Sequence, residues 1–191
     1  YSCQGDLMTK SIEQAKLKAA RVSLMIFDVD GILTDGSLHF SADGEVMKTF
    51  NVLDGQGIKL LQSAGILTAI ISARKSAIVS KRSTDLGIPH ILQGIHDKKV
   101  AFLNLTEELG IPHQECGFIG DDVIDLPILL RVGFAASVPN GHIEVRSRVD
   151  FVTQTEGGRG AAREICDFIL QAQNKYVSAL APFMDLADHD R

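Results

Sequence analysis

Short, continuously apolar runs recur along the chain and alternate with longer amphipathic stretches. The runs that we predict to be strands are Val22–Asp28, Leu67–Ser72, His90–Gln93, Cys116–Gly120, Gly133–Ala136 and Val149–Thr153. Unbroken apolar character is typical of strands that are buried on both faces of a parallel sheet. The stretches that we predict to be helices are Gly55–Ala64, Lys75–Leu86, Lys98–Leu109, Val123–Val132, His142–Arg146 and Gly160–Tyr176. Repeated β–α units of this length predict an α/β fold, with a doubly wound, mainly parallel, Rossmann-like sheet and right-handed crossovers.

One segment, GSLHFSADGEVMKTFNVLDGQG, interrupts this alternation between the first strand and the first helix. Its Asp43-Gly44 pair is a strong turn signal, and apolar residues flank the turn on both sides. We therefore predict a β-hairpin at about residues 37–51. Insertions at the carboxyl edge of a parallel sheet lie over the ligand crevice, so we interpret the hairpin as a functional flap. The alternative is a loop without a function.

Length and composition limit the remaining possibilities. We predict one domain over residues 1–191, with an amphipathic helix or arm at Tyr1–Ala20 and a mobile tail at 178–191. The net charge of −5 and the scattered Lys and Arg argue against nucleic-acid binding. No apolar run is long enough for a membrane span, and we expect no signal peptide. Cysteines without metal or redox spacing indicate free thiols in a reducing cytoplasm.

The first predicted strand runs directly into a pair of acids. Asp28 ends the strand and Asp30 follows two residues later, within the sequence DVDG. A buried strand of this kind delivers its last side chain to the carboxyl edge of the sheet, where ligand crevices lie in open α/β folds. Gly31 allows the chain to turn sharply at this point, because glycine has no side chain.

A second predicted strand ends in the same way, with Asp121, Asp122 and Asp125 in the sequence GDDVIDLP. Two carboxylates about 4 Å apart repel each other by about 4 kcal/mol at an effective dielectric constant of about 20. Such a cluster requires a cation, and Mg²⁺ is the expected ion because all the candidate ligands are hard oxygens. The alternative is that these acids only cap helices and turns, which two clusters in one chain make less plausible.

Two further polar residues complete the predicted site. Ser72 ends the second strand, in the sequence ISAR, where its hydroxyl and backbone N–H can hold a phosphoryl oxygen. Lys98, in the sequence HDKKV, begins a helix from which its ammonium can reach an anion in the crevice. Lys99 is the competing choice, and we select Lys98 because it lies four residues before Phe102.

These four motifs, in this order, resemble those of the haloacid dehalogenase (HAD) superfamily of aspartate-nucleophile phosphatases. The resemblance implies that Asp28 is the nucleophile, which forms an aspartyl phosphate. It implies that Asp30 protonates the leaving alcohol and then deprotonates the attacking water. It also implies a bound Mg²⁺, held by the Asp28 carboxylate, the Asp30 backbone carbonyl and Asp121.

The same resemblance implies roles for the remaining residues of the motifs. Ser72 and Lys98 would bind the transferred phosphoryl group, while Asp122 and Asp125 would orient the metal shell and Lys98. These roles agree with the chemistry, because a phosphoryl group in transfer spreads negative charge over three oxygens. Its catalysis therefore consists mainly of positioning and charge neutralisation.

Longer stretches extend the resemblance over nearly the whole chain, to a cap-less HAD subclass that removes phosphate from an eight-carbon sugar acid in lipopolysaccharide precursor biosynthesis. The stretches are DVDGILTDG, FNVLDGQGI, ISARKS, GDDVIDLP and GGRGAAREICD, together with a short hairpin in place of a cap domain. This resemblance implies a cytoplasmic homotetramer, in which a neighbouring subunit's hairpin and C-terminal segment cover the active site. One departure is Ala73, where glycine is common in the family.

The implied substrate is a small sugar acid phosphate, which carries a carboxylate as well as the phosphate. We expect Arg74 and Arg159 to contact its anionic groups, because a planar guanidinium matches a carboxylate. Arg159 would then come from the C-terminal segment of another subunit, and the alternative for this residue is a surface position at a helix start. The expected substrate-binding residues are thus Asp30, Ser72, Arg74, Lys98 and Arg159.

Three other functions are alternatives to this one. A phosphatase for a nine-carbon, sialic-type sugar acid phosphate would share the fold and the catalytic residues. A phospho-receiver signalling module also uses carboxylates, Mg²⁺, a Ser or Thr and a Lys, but in another order, and it would lack an acid–base residue such as Asp30. A catalytically silent subunit is disfavoured, because every required position is filled.

Overall fold

A six-stranded parallel sheet forms the centre of the protein, and a computed structural model describes residues 2–184. The elements in chain order are α1 (Ser2–Ala19), β1 (Leu24–Phe27), β2 (His39–Ser41), β3 (Gly44–Met47), α2 (Val52–Ser63), β4 (Leu67–Ile71), α3 (Ala77–Asp85), β5 (His90–Leu92), α4 (Lys98–Leu109), β6 (Cys116–Ile119), α5 (Leu126–Leu129), β7 (Phe134–Ser137), α6 (Ile143–Arg146), β8 (Phe151–Val152), α7 (Ala161–Ala172) and α8 (Tyr176–Met184). Short 3₁₀ turns precede β6 and α5.

The strands of the sheet are ordered β5-β4-β1-β6-β7-β8, and every neighbouring pair is parallel. From the central β1 the chain moves outward to β4 and β5, and then returns to β6 on the other side of β1. At such a reversal the loops after neighbouring strands diverge, and their carboxyl ends open a crevice for ligands. The predicted doubly wound sheet is confirmed, and its crevice lies at the carboxyl ends of β1, β4 and β6.

Helices on both faces of the sheet explain the continuous apolar character of β1. Met25 and Phe27 belong to one hydrophobic core, which α1, α2 and α7 help to form. Leu24 and Ile26 belong to a second core on the opposite face, against α4 and α5. Full burial of one such side chain contributes about 2 kcal/mol, so β1 gives firm support to the residues that follow it.

A separate two-stranded antiparallel sheet, formed by β2 and β3, confirms the predicted hairpin. Its turn lies at Ala42-Asp43, and Gly44 follows with a φ of +121°, a conformation that favours glycine. The hairpin exposes four apolar side chains, which are Leu38, Phe40, Val46 and Met47.

Two helices differ from the sequence-based prediction. The helix expected over 123–132 is a 3₁₀ turn, Val123–Asp125, followed by the short α5. Pro127 lies in the first turn of α5, a position where its missing N–H costs no hydrogen bond. The helix expected over 160–176 ends at Ala172, because Asn174 adopts a φ of 55° and directs the chain into α8.

The ends of the chain only partly follow the expectation. The N-terminal helix is confirmed as α1. Residues 178–184 of the expected tail at 178–191 belong to α8, where Ala179 and Leu180 pack against the first core. Residues 185–191 lie outside the described part of the chain. Within residues 2–184, no helix has both the length and the hydrophobicity that a bilayer crossing requires.

Candidate active site

The carboxylates that follow β1 and β6 meet at the carboxyl edge of the sheet. β1 and β6 are paired in parallel up to Phe27 and Ile119, so the residues after them emerge side by side. Oxygens of Asp28, Asp121 and Asp125 all lie within 4.8 Å of one another. The two acid clusters expected from the sequence therefore form one site.

Gly31 is required by the closeness of these two loops. Its φ is +90°, and a Cβ built on it would lie 2.1 Å from Asp121 Oδ2. A side chain at this position would therefore collide with the Asp121 carboxylate and would also strain the backbone. The glycine of DVDG thus allows the first catalytic loop to lie directly against the second acid cluster.

Lys98 lies at the first position of α4 and is buried between two of the carboxylates. Its Nζ donates to Asp28 Oδ1 at 2.8 Å and to Asp125 Oδ1 at 2.5 Å. Asp97 caps α4 by accepting the Val100 N–H at 3.1 Å, which fixes the start of the helix and the position of Lys98. Lys99 is exposed, so the structure brings Lys98 and not Lys99 into the site.

Asp125 orients its neighbours and uses both of its oxygens for this purpose. Its Oδ2 accepts the backbone N–H groups of Asp121 and Asp122 at 3.0 and 3.2 Å, while Oδ1 accepts from Lys98. Asp122 is exposed, and its Oδ1 accepts the Val123 N–H at 2.7 Å. Asp125 therefore contacts Lys98, whereas the Asp122 side chain caps the 3₁₀ turn; the expected part of both acids in orienting the metal shell stays a prediction.

Burial and mutual repulsion make the carboxylates difficult to ionise. Burial, together with the Asp125 charge, raises the pKa of Asp28 to about 8, although Lys98 opposes this shift. Burial and the charges of Asp125 and Asp122 raise the pKa of Asp121 to about 7. Burial acts to lower the pKa of Lys98, but its two ion pairs outweigh burial and raise it. The ammonium of Lys98 alone is thus insufficient to keep both Asp28 and Asp121 ionised at neutral pH.

A magnesium ion fits this set of donors. Asp28 and Asp121 offer carboxylate oxygens, which are the ligands that Mg²⁺ prefers. Asp125 also lies within reach, but its two oxygens already accept hydrogen bonds from Lys98 and the backbone. Asp28 and Asp121, the two carboxylate ligands that the family resemblance implied, are therefore the side chains best placed to hold a cation.

A cleft of about 190 Å³ lies in front of the carboxylates. Its lining residues are Asp28, Asp30, Gly36, Ser72, Ala73, Arg74, Asp121, Asp122 and Ile124. Ser72 is buried at the end of β4, while the Arg74 side chain is 42% exposed and lies on the rim, with its guanidinium 5.5 Å from the Phe40 ring centre. Ser72 and Arg74 therefore line the same cleft as the acids.

Asp30 makes ion pairs that the sequence did not predict. Its Oδ1 pairs with Lys48, and its Oδ2 lies 3.6 Å from Arg74 Nε. Lys48 follows β3 of the hairpin, and its side chain is only 1% exposed. Nothing in the local sequence marks Lys48, because its contact with Asp30 depends on how the hairpin folds back onto the sheet.

Arg159 is not among the residues that line this cleft. Its side chain is 66% exposed, and Nη2 is 3.7 Å from Asp35 Oδ2. It lines a neighbouring groove with Leu53 and Phe168. The expectation that Arg159 contacts the substrate therefore stays a prediction.

Comparisons with known proteins identify similarity to haloacid dehalogenase-like hydrolases. Residues 82–165 match the family model for haloacid dehalogenase-like hydrolases. The chain is 41% identical over 174 residues to the 3-deoxy-D-manno-octulosonate 8-phosphate phosphatase of Salmonella typhi, covering 91% of this chain and 90% of that protein. It is 44% identical over 158 residues to the corresponding Escherichia coli K12 protein, covering 83% and 84% of the two chains.

Solved structures give the same result. The 3-deoxy-D-manno-octulosonate 8-phosphate phosphatase of Moraxella catarrhalis, in complex with a magnesium ion, a phosphate ion and a KDO molecule, has a TM-score of 0.88 and 44% identity, covering 90% of this chain and 99% of that one. A cobalt-bound phosphatase of the same type from Haemophilus influenzae has a TM-score of 0.81 and 43% identity, covering 83% and 93%.

Proposed function

Because the chain belongs to the haloacid dehalogenase-like hydrolases, and within them to the family of the 3-deoxy-D-manno-octulosonate 8-phosphate phosphatases, we propose that it hydrolyses 3-deoxy-D-manno-octulosonate 8-phosphate to 3-deoxy-D-manno-octulosonate and phosphate. It is then a phosphoric monoester hydrolase of lipopolysaccharide precursor biosynthesis. The observation that carries the proposal is the buried Asp28, which lies at the end of the central strand, faces the cleft and is 2.8 Å from Lys98.

In the first step of the proposed mechanism, a carboxylate oxygen of Asp28 attacks the phosphorus of the substrate. The bond between phosphorus and the sugar oxygen breaks, and Asp30 donates a proton to that oxygen as it leaves. The product is an aspartyl phosphate on Asp28 and a free sugar alcohol. A covalent intermediate of this kind divides one difficult displacement into two easier ones.

In the second step, Asp30 removes a proton from water, and the water oxygen attacks the phosphorus of the aspartyl phosphate. The bond between phosphorus and Asp28 breaks, which releases phosphate and regenerates the carboxylate. Asp30 regains the proton that the first step consumed. Throughout both steps, Lys98 and Ser72 hold the oxygens of the phosphoryl group and neutralise part of their charge.

Mg²⁺ is the proposed cofactor, as it is bound in the Moraxella catarrhalis relative. The residues that would hold it are Asp28, Asp121 and the Asp30 backbone carbonyl, with Asp125 fixing Asp121 through its backbone N–H. When bound, the ion supplies positive charge that offsets the repulsion between the carboxylates and the phosphoryl oxygens.

Substrate selection is assigned to two arginines. Arg74, on the rim of the cleft, would bind the carboxylate or hydroxyl groups of the sugar acid. Arg159 would reach the cleft of a neighbouring subunit, because in its own chain it lines a different groove and its side chain is 66% exposed. This role requires an oligomer, and we propose a cytoplasmic homotetramer of single-domain subunits, each with the hairpin at 37–51 as a flap. The exposed apolar side chains of the hairpin support an interface there.

A phosphate-release assay over a panel of phosphate esters tests the proposal. The panel contains 3-deoxy-D-manno-octulosonate 8-phosphate, a nine-carbon sugar acid phosphate and p-nitrophenyl phosphate, each with Mg²⁺ and with EDTA. We expect the highest kcat/KM for the eight-carbon substrate and no turnover in EDTA. Preference for the nine-carbon substrate would instead support the related phosphatase, and stoichiometric phosphorylation without steady release would support a phospho-receiver.

A further inference from the structure

We propose that Lys48, from the hairpin of the same chain, is a positioning residue that holds Asp30 for its acid–base role and thereby makes that role depend on the docking of the hairpin against the catalytic loop. This inference rests on the function proposed above. It assigns to each subunit's own hairpin a part in its own active site, in addition to any cover that a neighbouring subunit provides.

The first observation is the burial and pairing of Lys48. Its side chain is 1% exposed, and its ammonium pairs with Asp30 Oδ1 and, at 3.0 Å, with Glu45 Oε1. A buried ammonium is stable only when carboxylates or other acceptors surround it. The position of Lys48 is therefore set by two acids, one on the catalytic loop and one on the hairpin.

The second observation is that Glu45 fastens the hairpin to the loop that follows β4. The Ser76 hydroxyl donates to Glu45 Oε2, and Ser76 is also the residue that caps α3 by accepting the Val79 N–H at 3.3 Å. The Ser76 N–H in turn donates to Gln93 Oε1 at 2.9 Å. The network thus runs from the capped start of α3 through Glu45 and Lys48 to Asp30.

The third observation is that Lys48 is the better placed of the two cations near Asp30. Arg74 lies 3.6 Å from Asp30 Oδ2, beyond the usual length of a hydrogen bond, and its side chain is 42% exposed. An exposed ion pair contributes little to holding a side chain in place. If the Lys48 charge is removed, Asp30 and Glu45 also face each other without a shared partner, so both the acid and the hairpin should shift.

The effect of displacing Asp30 on the reaction rate depends on the leaving group. A general acid accelerates the departure of a poor leaving group far more than that of a good one, because the good one leaves as an anion. A displaced Asp30 should therefore slow the release of phenol or a sugar alcohol strongly and the release of p-nitrophenol only weakly. A general loss of folded protein cannot produce this difference, since it lowers all rates equally.

The test measures kcat/KM, which reports the formation of the aspartyl phosphate, for phenyl phosphate and p-nitrophenyl phosphate with Lys48→Met. The ratio of interest is kcat/KM for phenyl phosphate divided by kcat/KM for p-nitrophenyl phosphate. We expect Lys48→Met to lower this ratio by about tenfold or more. Lys48→Arg, which keeps the charge, should retain a ratio nearer to that of the unchanged protein. Lys59→Met, on the exposed surface of α2, is the matched control and should leave the ratio unchanged.

A double-mutant cycle with Asp30→Asn completes the experiment. If Lys48 acts through Asp30, Lys48→Met should produce no further change in the ratio once Asp30 is replaced. Equal losses on both esters, an unchanged ratio, or a full effect that persists in the Asp30→Asn background would each overturn the inference. An unchanged protein that releases phosphate from no ester would instead overturn the proposed function itself.

Discussion

At the scale of single residues, the positive charge of Lys98 is balanced against the carboxylates of Asp28, Asp121 and Asp125. Lys98 contacts Asp28 and Asp125 directly, and Asp121 lies within 4.8 Å of both acids. Asp125 uses its other oxygen to fix the backbone at Asp121. The arrangement leaves the Asp28 carboxylate facing the cleft, as a nucleophile must, while the buried ammonium of Lys98 partly neutralises its charge.

Lys98 and Lys99 provide a matched pair of substitutions. We expect Lys98→Met to lower kcat at least about a hundredfold, because the phosphoryl group loses a buried positive charge. It should also lower the free energy of unfolding by about 3 kcal/mol, because two buried carboxylates lose their partner. Lys99→Met, on the exposed side of α4, should change neither quantity appreciably. Steady-state kinetics and urea unfolding measure both effects, and equal behaviour of the two variants would contradict this role of Lys98.

At the scale of elements, the loop after β1 is held from two sides. Asp121 lies against Gly31, and the segment before α7 lies against the same loop, where a Cβ at Gly157 would be 1.7 Å from Gly31 O. The Gly158 N–H donates to Ile32 O at 2.8 Å. Gly157 and Gly158 of the sequence GGRG are therefore needed for close backbone packing, which fixes the path of the catalytic loop.

Gly157→Ala tests this packing. The added methyl group must push the segment before α7 away from the catalytic loop, so we expect kcat to fall at least about tenfold. Gly65→Ala is the control, because Gly65 has a φ of +81° but open space around it. That variant should cost about 1 kcal/mol of stability through backbone strain and leave kcat unchanged. An active Gly157→Ala protein would contradict the proposed support of the loop.

The acid clusters could be predicted from sequence because their placement follows from a general rule. Parallel strands buried on both faces are recognisable as apolar runs, and the residues after them meet at one edge. Asp28 and Asp121 are such residues. Lys48 could not be found in this way, because its partner Asp30 is eighteen positions away and is reached only when the hairpin docks.

Local details of the turns were also beyond prediction. The division of roles between Asp122 and Asp125 depends on a 3₁₀ turn, and a regular helix over the same residues would have placed both side chains differently. The break between α7 and α8 depends on Asn174, a residue type that adopts positive φ more readily than most but gives no strong helix-stop signal. These features are set by packing rather than by a local pattern.

At the scale of the whole molecule, the buried carboxylates make stability depend on pH and on the metal. Asp28 and Asp121 have pKa values raised to about 8 and about 7, so the folded protein keeps their protons over a pH range in which the unfolded chain has lost them. The folded state therefore binds more protons, and without metal its stability should fall as pH rises from about 4 to about 8. Mg²⁺ should reverse this loss by stabilising the ionised carboxylates.

Thermal unfolding in EDTA and in Mg²⁺ measures this linkage. The increase in Tm that Mg²⁺ produces should be small near pH 5 and should grow towards about pH 8. Asp121→Asn should reduce both the pH dependence in EDTA and the effect of Mg²⁺, whereas Asp85→Asn, at an exposed carboxylate of α3, should retain both. An increase in Tm that does not change with pH would show that these carboxylates do not bind the ion.

The central claim, that Asp28 receives the phosphoryl group, is tested most directly by trapping the intermediate. The protein is mixed with substrate and Mg²⁺, quenched in acid within one turnover and treated with borohydride, which reduces an aspartyl phosphate to homoserine. Peptide mass spectrometry should then find homoserine at position 28 and at no other aspartate, and none in Asp28→Asn. Homoserine at another position, or rapid turnover that yields none at all, would contradict the account.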